Sequence, residues 1–200
     1  MEALSRTAAR LRPWLLRGKP LPNLLFFTDP QRTPDPERVA ERLPPAAAVV
    51  FRAFGALDAV DRGLRLREIT HRRGLLLLVG ADEALTLQIE ADGLHLPERL
   101  VTDLPRLRAA HPDWLVTMAA HDETAAKAGV AAGADALVVS PVFPSRSPSA
   151  GATLGVGGLK RIVETVETPV YALGGVRSDT VEQLLNIGIV GIAAVEALNA

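Results

Sequence analysis

Eight short apolar runs, spread through nearly the whole chain, limit the folds open to it. They are "NLLFFTD" (23–29), "AAVVFRAF" (47–54), "GLLLLVG" (74–80), "ADGLHL" (91–96), "WLVTMAA" (114–120), "ADALVVS" (134–140), "PVYALGG" (169–175) and "VGIAAV" (190–195). Each has the length of a strand, and none alternates cleanly between apolar and polar residues. Strands of that kind are buried on both faces, as in parallel sheets covered by helices. Apolar residues make up 48% of the chain and aromatic residues only 4%, so Ala, Leu and Val carry this core.

Helical patterns fall between the runs. They are predicted over 34–43, 57–73, 82–90, 98–110, 122–132, 156–166 and 178–187, with an amphipathic opening helix over 3–17 that ends near Gly18, before Pro20 and Pro22. Pro34 and Asp35 open the first of the seven. Asp122 and Gly133 bracket the fifth, and Ser178 and Gly188 the last. Strands alternating with helices give an α/β protein with a parallel sheet, and eight such units give a closed (β/α)8 TIM barrel. The runner-up is an open doubly wound sheet. It would want a glycine-rich turn after the first strand, and "TDPQRTP" has no glycine. The expected organisation is therefore an N-terminal helical extension over 1–22 and a barrel over 23–200.

Composition narrows the function classes. Two hundred residues suit one domain, and the chain has no cysteine, which removes disulfides and thiolate zinc sites. A net charge of -1 argues against a general nucleic-acid binder. No uncharged apolar run approaches about 18 residues, so no membrane partner is expected. The first residues carry arginines without a long apolar stretch or a clear cleavage site, so a cytoplasmic protein is the default. A homodimer is compatible with such a chain but is not specified by it.

A barrel puts its chemistry where strands end and the following loops begin. Gly174 and Gly175, after the seventh run, either bring backbone N–H groups up to a phosphate or form a plain tight turn. His121 follows the fifth run at a helix N-terminus, where it is either a proton-transfer group or a surface histidine. His95, inside the fourth run, reads as a satisfied core histidine. Arg52 lies in the second run and either meets an anion from inside the barrel or pairs with a carboxylate. Asp29 serves equally as a turn residue and Asp82 as a helix cap.

The order "FFTDP", an arginine in the second run, "ADGLHL", "GADALVVSPVFPS", "ALGGV" and "VGIAAVEAL" resembles the thiamine phosphate synthase family, which includes the TenI-type thiazole tautomerases. The likeness runs from about residue 24 to residue 198. It implies the same barrel, and it implies that the loop after the sixth run meets the thiazole phosphate and the pyrophosphate. There Ser145 and Ser147 stand where the synthases have threonines, Arg146 lies between them, and Pro148 replaces a lysine. Elsewhere the departures are larger. Of a Gln-x-Arg-x-Lys pattern that holds the pyrimidine pyrophosphate, only Arg52 remains. The metal-binding Asn-Asp becomes Gly80-Ala81, with Asp82 one position late. A second metal-binding Asp becomes Leu100, and a phosphate-cradling serine becomes Glu196.

The resemblance thus implies that the phosphate glycines, two hydroxyls and the histidine are kept while the Mg²⁺ and pyrophosphate ligands are lost. The first reading is a TenI-like tautomerase that binds a phosphorylated thiazole through Arg52, Ser145, Arg146, Ser147, Gly174, Gly175 and Glu196, with His121 as general acid and base. No metal ligand is assigned, and Asp82 is the nearest candidate. The alternative is a thiamine phosphate synthase, for which Mg²⁺ would need a site rebuilt from Asp29, Asp82 or Glu196. The third reading is a non-catalytic small-molecule-binding barrel with Val50, Phe51 and Phe54 around an apolar pocket.

Overall fold

The computed structural model describes residues 1–145 and 152–198. The eight apolar runs become β3 (Leu24–Phe27), β4 (Ala47–Phe51), β5 (Leu76–Gly80), β6 (Gly93–Leu96), β7 (Leu115–Ala120), β8 (Ala136–Val139), β9 (Val170–Ala172) and β10 (Gly191–Ala194). All pair in parallel with their sequence neighbours, and β10 pairs with β3, which closes the barrel. The α/β TIM-barrel class expected from the sequence is the one observed.

The lack of alternation has a direct explanation. Alternate strand residues point to opposite faces. Leu25, Phe27, Val50, Leu78, Val138 and Tyr171 form one cluster inside the barrel. Their neighbours Leu24, Phe26, Val49, Phe51, Leu77 and Val139 form a second cluster beneath the helices. Both faces are dry, so both are apolar.

The covering helices are α2 (Pro36–Arg42), α3 (Ala59–Arg73), α4 (Glu83–Gln88), α5 (Leu104–Ala110), α6 (Glu123–Ala132) and α7 (Gly155–Thr165). Asp35, Asp82 and Asp122 cap α2, α4 and α6 by accepting N–H bonds from Arg38, Leu85 and Ala125. The predicted helix over 98–110 is split. A 3₁₀ segment, Glu98–Asp103, kinks at Leu100, and α5 starts next to Pro105, which has no N–H to continue the earlier turns. The predicted helix over 178–187 shrinks to a 3₁₀ turn, Val181–Leu184. Asn186 and Gly188 both have left-handed backbones, which a helix cannot contain.

The N-terminus also departs from expectation. The opening helix α1 covers only Glu2–Ala8. Pro13 follows, and Arg17 and Gly18, both with positive φ, turn the chain between the short antiparallel strands β1 (Leu15–Leu16) and β2 (Lys19–Pro20). Helix α1 packs against β3, β10 and Val181–Leu184, where the outer helical layer is thinnest. Leu16 and Leu21 pack on the inner cluster from below. No helix among the described residues is long and apolar enough to cross a membrane.

Candidate functional site

Inward-facing positions continue past the strands' C-terminal ends. Arg52 lies two residues beyond Val50, His121 two beyond Ala119, Ser140 two beyond Val138 and Leu173 two beyond Tyr171. With the following loops they line a cavity of about 720 Å³ at the barrel mouth. Of the residues singled out from sequence, Arg52, Asp82, His95, His121, Ser145, Gly174, Gly175 and Glu196 all line it. Arg146 and Ser147 lie outside the described residues.

Arg52 is held from the first strand's end. Its backbone N–H donates to Thr28 Oγ1 at 2.9 Å and its Nε to the Thr28 carbonyl at 2.7 Å. The guanidinium carbon stands 5.5 Å from the Phe27 ring and 5.2 Å from the Phe54 ring. Nη2 is buried with no hydrogen-bond partner and lies 3.5 Å from Asp29 Oδ2. Burial draws the Arg52 pKa down to about 10; Asp29 offsets this in part, and Arg32 adds to it. Arg52 stays charged at neutral pH, with its charge only partly balanced.

Asp29 is fully engaged. Its Oδ1 accepts from the N–H groups of Gln31 and Arg32, and its Oδ2 from the Arg32 guanidinium at 2.8 Å. Burial alone would raise its pKa, but the bonds from Arg32 and Gln31 outweigh that and hold it below the ordinary value. Arg32 Nε also lies 3.9 Å from Glu196 Oε1, which links the adjacent loops after β3 and β10.

The two histidines of the mouth differ. His95 is buried on the cavity floor. Its Nδ1 pairs with Thr117 Oγ1 at 2.9 Å and its ring meets Phe27 edge-on at 4.9 Å. Burial, with Arg52 nearby, draws its pKa down to about 3, so it is neutral in the working range. His121 is exposed, and its Nδ1 lies 2.6 Å from the Ser140 carbonyl oxygen. A carbonyl only accepts, so Nδ1 carries the proton, and in the neutral ring Nε2 has the lone pair.

Gly174 and Gly175 have φ of +93° and +65°. A Cβ on Gly174 would sit 2.7 Å from Pro141 Cα, and one on Gly175 2.6 Å from the Pro144 carbonyl oxygen. Close approach of the loop after β8 therefore demands glycine at both positions. The amides of Gly174, Gly175, Val176 and Val195 donate to no backbone carbonyl among the described residues. These N–H groups, at the ends of β9 and β10, are suited to an anion.

The residues do not fit a resident Mg²⁺. Among the described residues no three His, Asp or Glu side chains come together. Asp82 Oδ1 accepts the Leu85 N–H at 2.8 Å as a helix cap, and Leu100 has no ligating atom.

The apolar pocket expected from Val50, Phe51 and Phe54 is not formed. Val50 belongs to the inner core, and Phe51 faces outward against α3 near Gly63. Only Phe54 lines the cavity. Sequence reading passed over Arg32, Arg99 and Arg177, which also line it. All three lie just after strands, Arg32 and Arg177 in the loops that follow β3 and β9 and Arg99 in the 3₁₀ segment that follows β6, which is the signal that would have found them.

Comparison with known proteins agrees with this architecture. Residues 24–198 match the family model for thiamine monophosphate synthase. The chain is 30% identical to the thiamine-phosphate synthase of Pyrococcus furiosus, over 88% of this chain and 86% of that one. It is 32% identical to the Archaeoglobus fulgidus thiamine-phosphate synthase, over 89% and 86%. It also superposes on the structure of a thiamine phosphate pyrophosphorylase from P. furiosus with a TM-score of 0.77, at 28% identity and with 90% and 88% coverage.

Proposed function

Because this chain belongs to the thiamine monophosphate synthase family, we propose that its barrel mouth joins two phosphorylated heterocycles. A thiazole phosphate would couple to a pyrimidine carrying pyrophosphate, giving thiamine phosphate and inorganic pyrophosphate. One observation carries this reading. The cavity offers two anion-receiving groups, the amides of Gly174–Val176 with Val195 and the partly balanced Arg52. A reaction on a single phosphorylated substrate needs only one. In the coupling, a carbon–nitrogen bond forms as the carbon–oxygen bond to pyrophosphate breaks. Arg52 is placed to donate to the departing oxygens as their charge grows.

The second reading is thiazole tautomerisation, which the sequence resemblance put first. The His121–Ser140 bond favours it, because it leaves Nε2 to take a ring proton. The names of the relatives favour coupling.

One variant separates the two. Coupling at a ring nitrogen breaks no bond to hydrogen, so His121→Ala should keep most of the coupling rate. Tautomerisation in the same variant should fall by roughly 10²–10⁴-fold. Both substrate sets are incubated with wild type and variant, and products are followed by mass spectrometry and NMR. Absence of thiamine phosphate from every wild-type incubation would remove the coupling reading.

A further inference from the structure

A diphosphate in this mouth needs its charge balanced. A divalent cation does this where carboxylates are available to hold it. Here each of the three carboxylates has at least one oxygen already partnered. Asp29 receives two amides and a guanidinium, Asp82 caps α4, and Glu196 approaches Arg32. The wall supplies guanidinium groups instead. Arg32, Arg52, Arg99 and Arg177 line the cavity, against Asp82 and Glu196 among the described residues. Arg177 is turned toward Asp179, at 3.2 Å. Arg99 is exposed and forms no ion pair with a described residue. Arg52 is fixed by Thr28, while its Nη1 donates to no described residue. A guanidinium can fork onto phosphoryl oxygens with two charge-assisted bonds, which gives both charge and orientation.

Resting on the two-substrate reading above, we infer that this protein holds its diphosphate without a divalent cation, with Arg52 and Arg99 supplying the positive charge that a metal would otherwise bring. The site is then built for a pyrophosphoryl group as such.

The test is calorimetric titration of the full chain with inorganic pyrophosphate, in EDTA and in excess Mg²⁺. Binding is expected in EDTA with a Kd within about threefold of that in Mg²⁺. Arg52→Met and Arg99→Met should each weaken it by roughly tenfold or more, with Arg52→Lys between Arg52→Met and wild type because lysine cannot fork. Thermal melts establish that the variants are folded, and Arg99, being exposed, gives a variant with little structural risk. Asp82→Asn keeps the cap and should bind pyrophosphate like wild type.

Binding that appears only with Mg²⁺, or that Asp82→Asn weakens in Mg²⁺, would overturn the inference. So would no binding at all, or binding that both arginine variants leave intact. Metal-free pyrophosphate binding in a protein that never forms thiamine phosphate would overturn the coupling reaction while leaving the arginine site standing.

Discussion

At the residue scale, the two histidines show how one side chain serves two purposes in one cavity. His121 is exposed, and the Ser140 carbonyl orients its ring through Nδ1. His95 is buried and neutral, and its value lies in shape and hydrogen bonding. That burial has a measurable consequence. Its folded pKa of about 3 lies below the ordinary value of 6.5. Between these limits the unfolded chain binds a proton that the folded chain refuses. The contribution is full above pH 6.5 and is lost as pH falls toward 3. The slope approaches a ceiling of about 1.4 kcal/mol per pH unit. Denaturant melts at pH 7 and pH 5 should show a smaller stability loss in His95→Gln than in wild type. Equal losses would mean that His95 titrates normally.

At the element scale, the loops after β8 and β9 work as one unit. Phe143 N–H donates to the Gly174 carbonyl and Val142 N–H to the Leu173 carbonyl, each at 2.9 Å. Gly174 and Gly175 had two readings in sequence, phosphate contact or tight turn. The structure adds a third reason for them, steric room for the neighbouring loop. Gly175→Ala forces a Cβ against Pro144 in a left-handed conformation, which costs about 1–2 kcal/mol before the clash is counted. The expected outcome is a lower melting temperature together with weaker thiazole phosphate binding, because the same shift moves the free amides. A variant with unchanged melting and binding would show that the two loops are not coupled. Elements were legible in sequence where their signals are local. The aspartate caps of α2, α4 and α6 sit three residues before the N–H they satisfy. The helix predicted over 178–187 was misread because Asn186 looks ordinary in sequence, and only the fold holds it left-handed.

At the scale of the whole molecule, the barrel is closed from below by segments distant in sequence. Asp135, buried just before β8, takes Arg17 from the N-terminal hairpin at 2.6 Å, Arg108 from α5 at 3.1 Å and the Val116 N–H at 2.8 Å. Tyr171, inside the barrel, donates to the Pro22 carbonyl at 2.6 Å. Asp135→Ala leaves the buried Val116 amide unpaired and two arginines with carbonyl partners but no counter-charge, and should lower stability by roughly 2–3 kcal/mol. The site is at the opposite end, so pyrophosphate affinity below the melting range should be unchanged. A fall in affinity without loss of stability would show that the lower end communicates with the mouth.

What the sequence by itself determined was the set of elements and the barrel they make. Burial on both faces, caps and turn residues act over a few neighbouring positions, and eight such strands leave little choice of architecture. The strand ends named in advance also met at the mouth, since a parallel barrel brings all its C-terminal ends to one side. Only the tertiary structure decided the rest. Strands that are apolar on both sides do not announce which residue faces inward, so Phe51 and Phe54 were grouped together and then parted. The role of Arg52 depends on Thr28 and Asp29 arriving beside it, and that of Glu196 on Arg32 doing so. Those contacts join loops far apart in the chain, and such distances are set when the barrel closes.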